Sequence, residues 1–508
     1  MVCTNYFIDI LQKYAADQVL LIEGKQSVRA SELLQSSKQL ACALHKKGIK
    51  QGDRVLLAVK PSIEFLQIIY ANMMLRTIVS IIDPEMGRDN YKAKLNQFNP
   101  HHAFVDSRLV LLSEHPIVKY ILLKLNKAIP SFPILKNVNI FTAGMRLPIL
   151  QKHSPIKSLF KTIEEEIDFC KGNDEDEFLI TYTSGTLSQP KGVVHSYSSL
   201  ANSIKHLSDM LKNNGDISIA THLPQFALLG ISAGVQVYLW DHQLTAKAKL
   251  DFIAQNSITC LFGPPSDYLP MMQYLISVDE KFPKCLKNIY LGSAPVYSSF
   301  LSKLSACCEQ VKVSCLYGMT ENLMVAYVDS YEKLTADVEG DLVGTPFPKV
   351  KLKIEADGEI RVSSDQLFIR YFESERHDGT HLTGDLGKID ENGRLILHGR
   401  KKDMIIRRNF NVYPGLYEPT INKIDGINEA VMIGLYNPEK ADEEIILIVE
   451  SECPMKSSDV LLKLKTGIHS IDKEALPDRI IFMKLPRSGR QNKVNRKELT
   501  EHVKQFLA

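Results

Sequence analysis

Apolar positions along this chain recur with two spacings. Over residues 31–47 they fall at intervals of three and four, with Ser31 and Glu32 near the start and Gly48 just past the end, which predicts a helix. Residues 55–59 form an unbroken apolar run, the pattern of a buried strand. A helix over 63–75 and a second strand over 78–82 follow. Strand, helix, strand in this order predicts a parallel sheet covered by helices, because parallel neighbours need a crossover. A second series of the same kind runs over 217–294. Between 354 and 397 the pattern gives way to short strands joined by Gly and Asn turns, such as Glu391-Asn392-Gly393. Beyond residue 402 comes a small α/β segment that closes with a helix over 496–507, so a domain boundary is expected at 400–403. The sequence has no internal repeat and no low-complexity segment.

Composition narrows the class. A chain of 508 residues exceeds what one core usually organises, so two or more domains are expected. A formal net charge of +2 argues against a nucleic-acid partner bound through a dense basic surface. Nine cysteines show no CxxC pair, and Cys307 and Cys308 are adjacent, which suits neither a disulfide framework nor a zinc site. Reduced thiols in a cytoplasmic protein are the expectation. Residues 1–9 do not read as a secretory leader. The most apolar stretch, 55–82, is interrupted by Lys60, Glu64 and Arg76, so no transmembrane segment is expected. Residues 116–132 are apolar with scattered lysines. A helix packed on its own domain is the reading, with peripheral membrane contact the alternative.

The sharpest local feature is Thr181-Tyr182-Thr183-Ser184-Gly185-Thr186-Leu187-Ser188-Gln189-Pro190-Lys191-Gly192, between β-type runs at 178–182 and 193–195. A loop of hydroxyls and glycines offers backbone N–H groups and short donors to an anionic polyphosphate, and Lys191 adds positive charge. No GK[ST] is present and a strand follows, so the Walker arrangement is excluded. Four further clusters follow in order. Tyr317-Gly318-Met319-Thr320-Glu321 offers an aromatic face, a hydroxyl and a carboxylate. Thr383-Gly384-Asp385 offers an acid able to accept two hydrogen bonds from a ribose diol. Gly399-Arg400-Lys401-Lys402-Asp403 concentrates charge at the expected boundary. Gly489-Arg490-Gln491-Asn492-Lys493-Val494-Asn495-Arg496 places a lysine near the C-terminus.

Together these motifs resemble the adenylate-forming superfamily of acyl-CoA synthetases, nonribosomal-peptide adenylation domains and luciferases. The resemblance runs from Gly48-Ile49-Lys50-Gln51-Gly52-Asp53 to Lys493. It implies an α/β fold: a large N-terminal domain (1–401) of mixed parallel sheets flanked by helices with a small β-barrel-like part, and a small mobile α+β C-terminal domain (402–508). It also implies roles. Thr183, Ser184, Gly185, Thr186 and Lys191 would hold the β- and γ-phosphates of ATP. Gly292, Ser293, Ala294 and Pro295 would line the adenine and acyl pocket, and Tyr317 would stack on adenine, with Gly318 and Met319 among the cofactor-binding residues. Thr320 would contact the α-phosphate and Glu321 would hold Mg2+. Asp385 would bind the ribose with Arg400 beside it, Lys402 would be the hinge and Lys493 the catalytic lysine.

Several positions depart from the usual pattern. Leu187 and Ser188 replace a threonine and a glycine, Ala227 stands where many members have histidine, and Asn409 replaces a glycine after the hinge. The C-terminal motif is one residue longer than PxTxxGK, with Asn492 before the lysine. Asp83-Pro84-Glu85-Met86-Gly87-Arg88, Phe226-Ala227-Leu228 and Arg490-Gln491-Asn492-Lys493 resemble fatty-acid ligase-like members that include the olefin-pathway β-lactone synthetases. The expected activity is ATP-dependent activation of a carboxylic acid, with a fatty acid favoured by the small or apolar Ala227, Leu228, Gly230 and Gly292. Coenzyme A is the expected acceptor. The alternatives are a carrier protein, the substrate's own 3-hydroxyl, or a degenerate nucleotide-binding protein without catalysis.

Overall fold

The computed structural model describes all residues except 1–5, 83–87, 116–134, 136, 146, 148–149, 151–152, 161–171, 183–190, 242, 408–409, 438–441, 467–468, 489–491 and 508. The chain divides into two units. The first comprises Met1–Leu244, Thr320–Leu323 and Asp365–Gly379; the second comprises Thr245–Met319, Met324–Ser364 and Thr380–Ala508. The described cysteines are all free. Among the described residues no helix is long and apolar enough to cross a membrane. The apolar stretch at 116–132 lies outside the described residues.

In the first unit, strands Arg54–Ala58 and Ile78–Ile81 are parallel neighbours joined by helix Ile63–Leu75, as the hydropathy pattern predicts. Ser62 starts that helix by accepting a hydrogen bond from the Phe65 N–H, and Arg76 ends it in the left-handed conformation. The predicted helix over 31–47 is found at Ala30–Lys46. These strands belong to an eight-stranded sheet ordered Arg370–Tyr371, Gly192–Ser196, Glu177–Tyr182, Ile78–Ile81, Arg54–Ala58, His102–Asp106, Asn139–Ala143, Ser154–Pro155. Glu177–Tyr182 and Gly192–Ser196 are antiparallel neighbours, with Tyr182 opposite Gly192. Four further strands of this unit run in the order Ser218–Thr221, Gln236–Leu239, Val19–Glu23, Gln26–Arg29.

In the second unit, Cys260–Gly263, Asn288–Leu291 and Lys312–Met319 are parallel neighbours. Five antiparallel strands follow the spatial order Lys351–Ile354, Glu359–Ser363, His381–Ile389, Leu395–Arg400, Asp341–Pro346. The antiparallel strands begin with Asp341–Pro346, ahead of residue 354 where the sequence pattern changes. The C-terminal part of this unit holds the three-stranded sheet Ile427–Asn437, Asp442–Ser451, Arg479–Phe482 and the terminal helix Arg496–Leu507. Two apolar clusters, one around Ile405, Met432 and Leu447 and one around Ile446, Leu499 and Val503, draw no member from before residue 405. Where this part meets strand Leu395–Arg400, backbone touches backbone. A Cβ on Gly415 would lie 2.4 Å from the Gly399 Cα.

Candidate active site

The second unit gathers four of the expected nucleotide residues. Asp385 and Arg400 stand directly opposite each other on the neighbouring strands His381–Ile389 and Leu395–Arg400, a pairing that places both side chains on one face. Arg400 Nε lies 2.6 Å from Asp385 Oδ1. The Tyr317 hydroxyl, from the last turnless stretch of strand Lys312–Met319, donates to Asp385 Oδ2 at 2.5 Å. The Asp385 backbone N–H donates to Thr383 Oγ1 at 3.0 Å. Asp385 is only 5% exposed. Desolvation raises its pKa, against the lowering influence of Arg400, Tyr317 and Lys493.

Lys493 opens the two-residue strand Lys493–Val494, paired with Arg487–Ser488. Asn492 just before it has φ 51°, a left-handed backbone that Asn tolerates. Desolvation and then Arg400 depress the Lys493 pKa, while Asp385 works in the other direction. The ammonium is thus an electrostatic neighbour of the Asp385–Arg400 pair. Three residues on, Arg496 Nη2 donates to both carboxylate oxygens of Glu418, each at 2.7 Å. Gly384, Arg400, Lys401 and Lys402 line a pocket of about 350 Å³. Lys401 is tied to Asp357 and Glu359 at 2.6 and 2.8 Å, whereas Lys402 is exposed in the short turn Lys401–Asp403. Gly292, Ser293, Ala294 and Pro295 follow the C-terminal end of strand Asn288–Leu291, where ligands of parallel α/β sheets bind. Ser293 has φ 68°, a strained value for a residue with a side chain. Gly318 and Met319 end the strand that carries Tyr317.

The first unit holds the groups expected at the phosphates. Thr183, Ser184, Gly185, Thr186, Leu187 and Ser188 lie outside the described residues, as do Asn409 and the segment 83–87. Lys191 is described and exposed, with its Nζ 5.5 Å from the centre of the Tyr371 ring. Glu321 Oε1 accepts a hydrogen bond from the Tyr371 hydroxyl at 2.9 Å. Burial first, and Glu321 second, raise the Tyr371 pKa, so this phenol remains a donor. The Thr320 carbonyl accepts from His195 Nε2 at 2.7 Å. Burial depresses the pKa of His195, which keeps the ring neutral and leaves Nδ1 to accept from the Ser199 hydroxyl at 3.2 Å. His195 and Tyr371 carry no signature in the sequence. Their partners lie 125 and 50 positions away.

Among the described residues no cluster of three or more His, Cys, Asp or Glu could cage a metal ion. A lone carboxylate, Glu321, fits Mg2+, which commonly takes one or two protein carboxylates and completes its shell with phosphate oxygens and water.

The family described as AMP-binding enzyme matches residues 9–372. The chain is 26% identical to the 2-succinylbenzoate–CoA ligase of Oceanobacillus iheyensis, over 87% of this chain and 88% of that one. It is 23% identical to the long-chain-fatty-acid–CoA ligase FadD13 of Mycobacterium tuberculosis, over 92% of each. Its fold is similar to the amide bond synthetase McbA of Marinactinospora thermotolerans, with a TM-score of 0.80, 18% identity, and coverage of 98% of this chain and 99% of that one.

Proposed function

This chain belongs to the AMP-binding enzyme family, and we propose from that premise that it joins a carboxylic acid to AMP, releases pyrophosphate, and passes the acyl group to coenzyme A. The observation that carries the reading is Asp385, buried and gripped by Tyr317 and Arg400 with Lys493 as electrostatic neighbour. A ribose diol needs an acceptor pair, and an anionic reaction needs fixed cations beside it.

A carboxylate is a poor electrophile because its leaving group would be oxide. Joining it to AMP gives a mixed anhydride with a good leaving group. Carboxylate and ATP repel, so positive charge and alignment are the main catalytic needs. In this reading Asp385 and Arg400 orient the ribose, and Tyr317 serves the nucleoside. Lys493 donates to the oxygens that gain charge as the acid attacks the α-phosphorus. Thr320 contacts the α-phosphate, and Lys191 with the 183–186 loop holds the leaving pyrophosphate. Magnesium would supply charge neutralisation at the polyphosphate, with Glu321 as its protein ligand. For the second half-reaction Lys493 must leave, and the C-terminal part from 402 onward is taken to rotate about Lys402.

The acid is proposed to be aliphatic. Helix Pro224–Ala233 is apolar and buried from Phe226 through Ala233, with no acidic group to hold an α-amine. The test is ATP–pyrophosphate exchange across a panel of acids, followed by mass spectrometry of products with and without coenzyme A, 3-hydroxy acids included. Exchange with aliphatic acids and a CoA thioester are expected. A β-lactone formed from a 3-hydroxy acid without coenzyme A would redirect the second step, and absence of any acyl-adenylate would refute the whole reading.

A further inference from the structure

Tyr371 is joined to two groups assigned to the nucleotide, and its own position is tightly determined. It lies in the two-residue strand Arg370–Tyr371, with Arg370 opposite Val194 and Tyr371 opposite Val193. The Ile369 N–H donates to the Val194 carbonyl at 2.9 Å and the Phe372 N–H to the Gly192 carbonyl at 2.7 Å. Arg370 Nε reaches Glu177 Oε1 at 2.6 Å. The short strand is therefore fastened to both of the paired strands that flank the residues proposed to hold the phosphates. From this place the Tyr371 hydroxyl holds Glu321 Oε1 and its ring faces Lys191.

The main chain of Glu321 is fixed independently. Its carbonyl accepts from the Phe368 N–H at 2.8 Å, and the Thr320 carbonyl before it accepts from His195 at 2.7 Å. What those bonds leave undetermined is the rotamer of the Glu321 carboxylate. A single ligand carboxylate that is free to turn binds Mg2+ poorly, because this ion demands near-ideal geometry. A donor on one oxygen removes that freedom and leaves the other oxygen for the cation.

We propose that Tyr371 is a positioning residue for adenylation: its hydroxyl sets the Glu321 carboxylate for a divalent cation, and its ring holds the Lys191 ammonium over its face. This deepens the adenylation reading and rests on it.

The experiment uses the full chain with Tyr371→Phe, Tyr371→Leu, Glu321→Gln and the Tyr371→Phe/Glu321→Gln double variant. The probes are Mn2+, followed by electron paramagnetic resonance, and an ATP analogue with a methylene between the α- and β-phosphorus atoms. Tyr371→Phe is expected to weaken Mn2+ binding to the analogue-loaded protein by about tenfold or more, as loss of an outer-shell partner does. Metal-free analogue binding is expected to hold in Tyr371→Phe and fall in Tyr371→Leu, since phenylalanine keeps the ring face for Lys191. Adding Tyr371→Phe to Glu321→Gln is expected to cost nothing more, because the hydroxyl acts through that carboxylate. Wild-type Mn2+ affinity in Tyr371→Phe, or independent losses in the double variant, would overturn the proposal. Should none of the acids support pyrophosphate exchange by the wild-type chain while these binding results appear as expected, the adenylation reading falls and only the setting of Glu321 for a divalent cation stands.

Discussion

Asp385 and Lys493 are perturbed in opposite directions, and each must be ionised to serve a nucleotide. The carboxylate accepts from the ribose only when deprotonated, and burial holds its pKa above the ordinary 3.8. The lysine donates to an oxyanion only when protonated, and desolvation with Arg400 holds its pKa below the ordinary 10.5. ATP capture should therefore fall as pH drops, on a limb displaced upward from that of a free aspartate. Adenylation should fall as pH rises, on a limb displaced downward from that of a free lysine. Pyrophosphate exchange measured against pH checks both limbs, and Arg400→Met should move each of them upward, since Arg400 lowers both groups. Lys493→Ala should reduce exchange by on the order of a hundredfold, the usual loss when a preorganised donor to developing charge is removed. Most of these candidates could be proposed from the sequence because each carries its chemistry in its own side chain within a short motif. Tyr371 and His195 were not, because a tyrosine or histidine in an apolar run has no meaning until its partner is known.

At the level of elements, the paired strands Glu177–Tyr182 and Gly192–Ser196 flank the residues proposed to hold the phosphates. Gly192 lets the short strand Arg370–Tyr371 approach. A Cβ there would stand 3.0 Å from Phe372 Cβ and 3.2 Å from both Ile180 Cγ2 and Tyr182 Cε1. Gly192→Ala should thus cost about 1–3 kcal/mol through overpacking. It should also raise the ATP KM more than the acid KM, because two of the displaced neighbours, Ile180 and Tyr182, lie on the strand leading into the residues proposed to hold the phosphates. Thermal unfolding and steady-state kinetics read the two effects separately. Helix Ile63–Leu75 was legible to the residue at both ends, since it is long, apolar and flanked by Ser62. The strand Arg370–Tyr371 was not, since two residues carry no period. The same holds for Lys493–Val494, whose pairing with Arg487–Ser488 exists only across a loop.

On the scale of the whole molecule, the C-terminal residues have apolar clusters of their own, drawn entirely from beyond residue 404. The proposed rotation asks for such clusters and for a hinge open to solvent, and Lys402 is exposed. Lys402→Pro, which fixes φ near −65°, should spare pyrophosphate exchange and abolish thioester formation. Loss of both half-reactions together would remove Lys402 from the hinge role. The sequence by itself determined the class of fold, the order of the motifs and the family, because period, turn residues and motif chemistry are local properties of the chain. Tertiary structure alone decided which oxygens of Asp385 meet Tyr317 and Arg400 and what holds Glu321. Those facts depend on distances between residues far apart in the chain, and such distances exist only once packing has fixed the backbone.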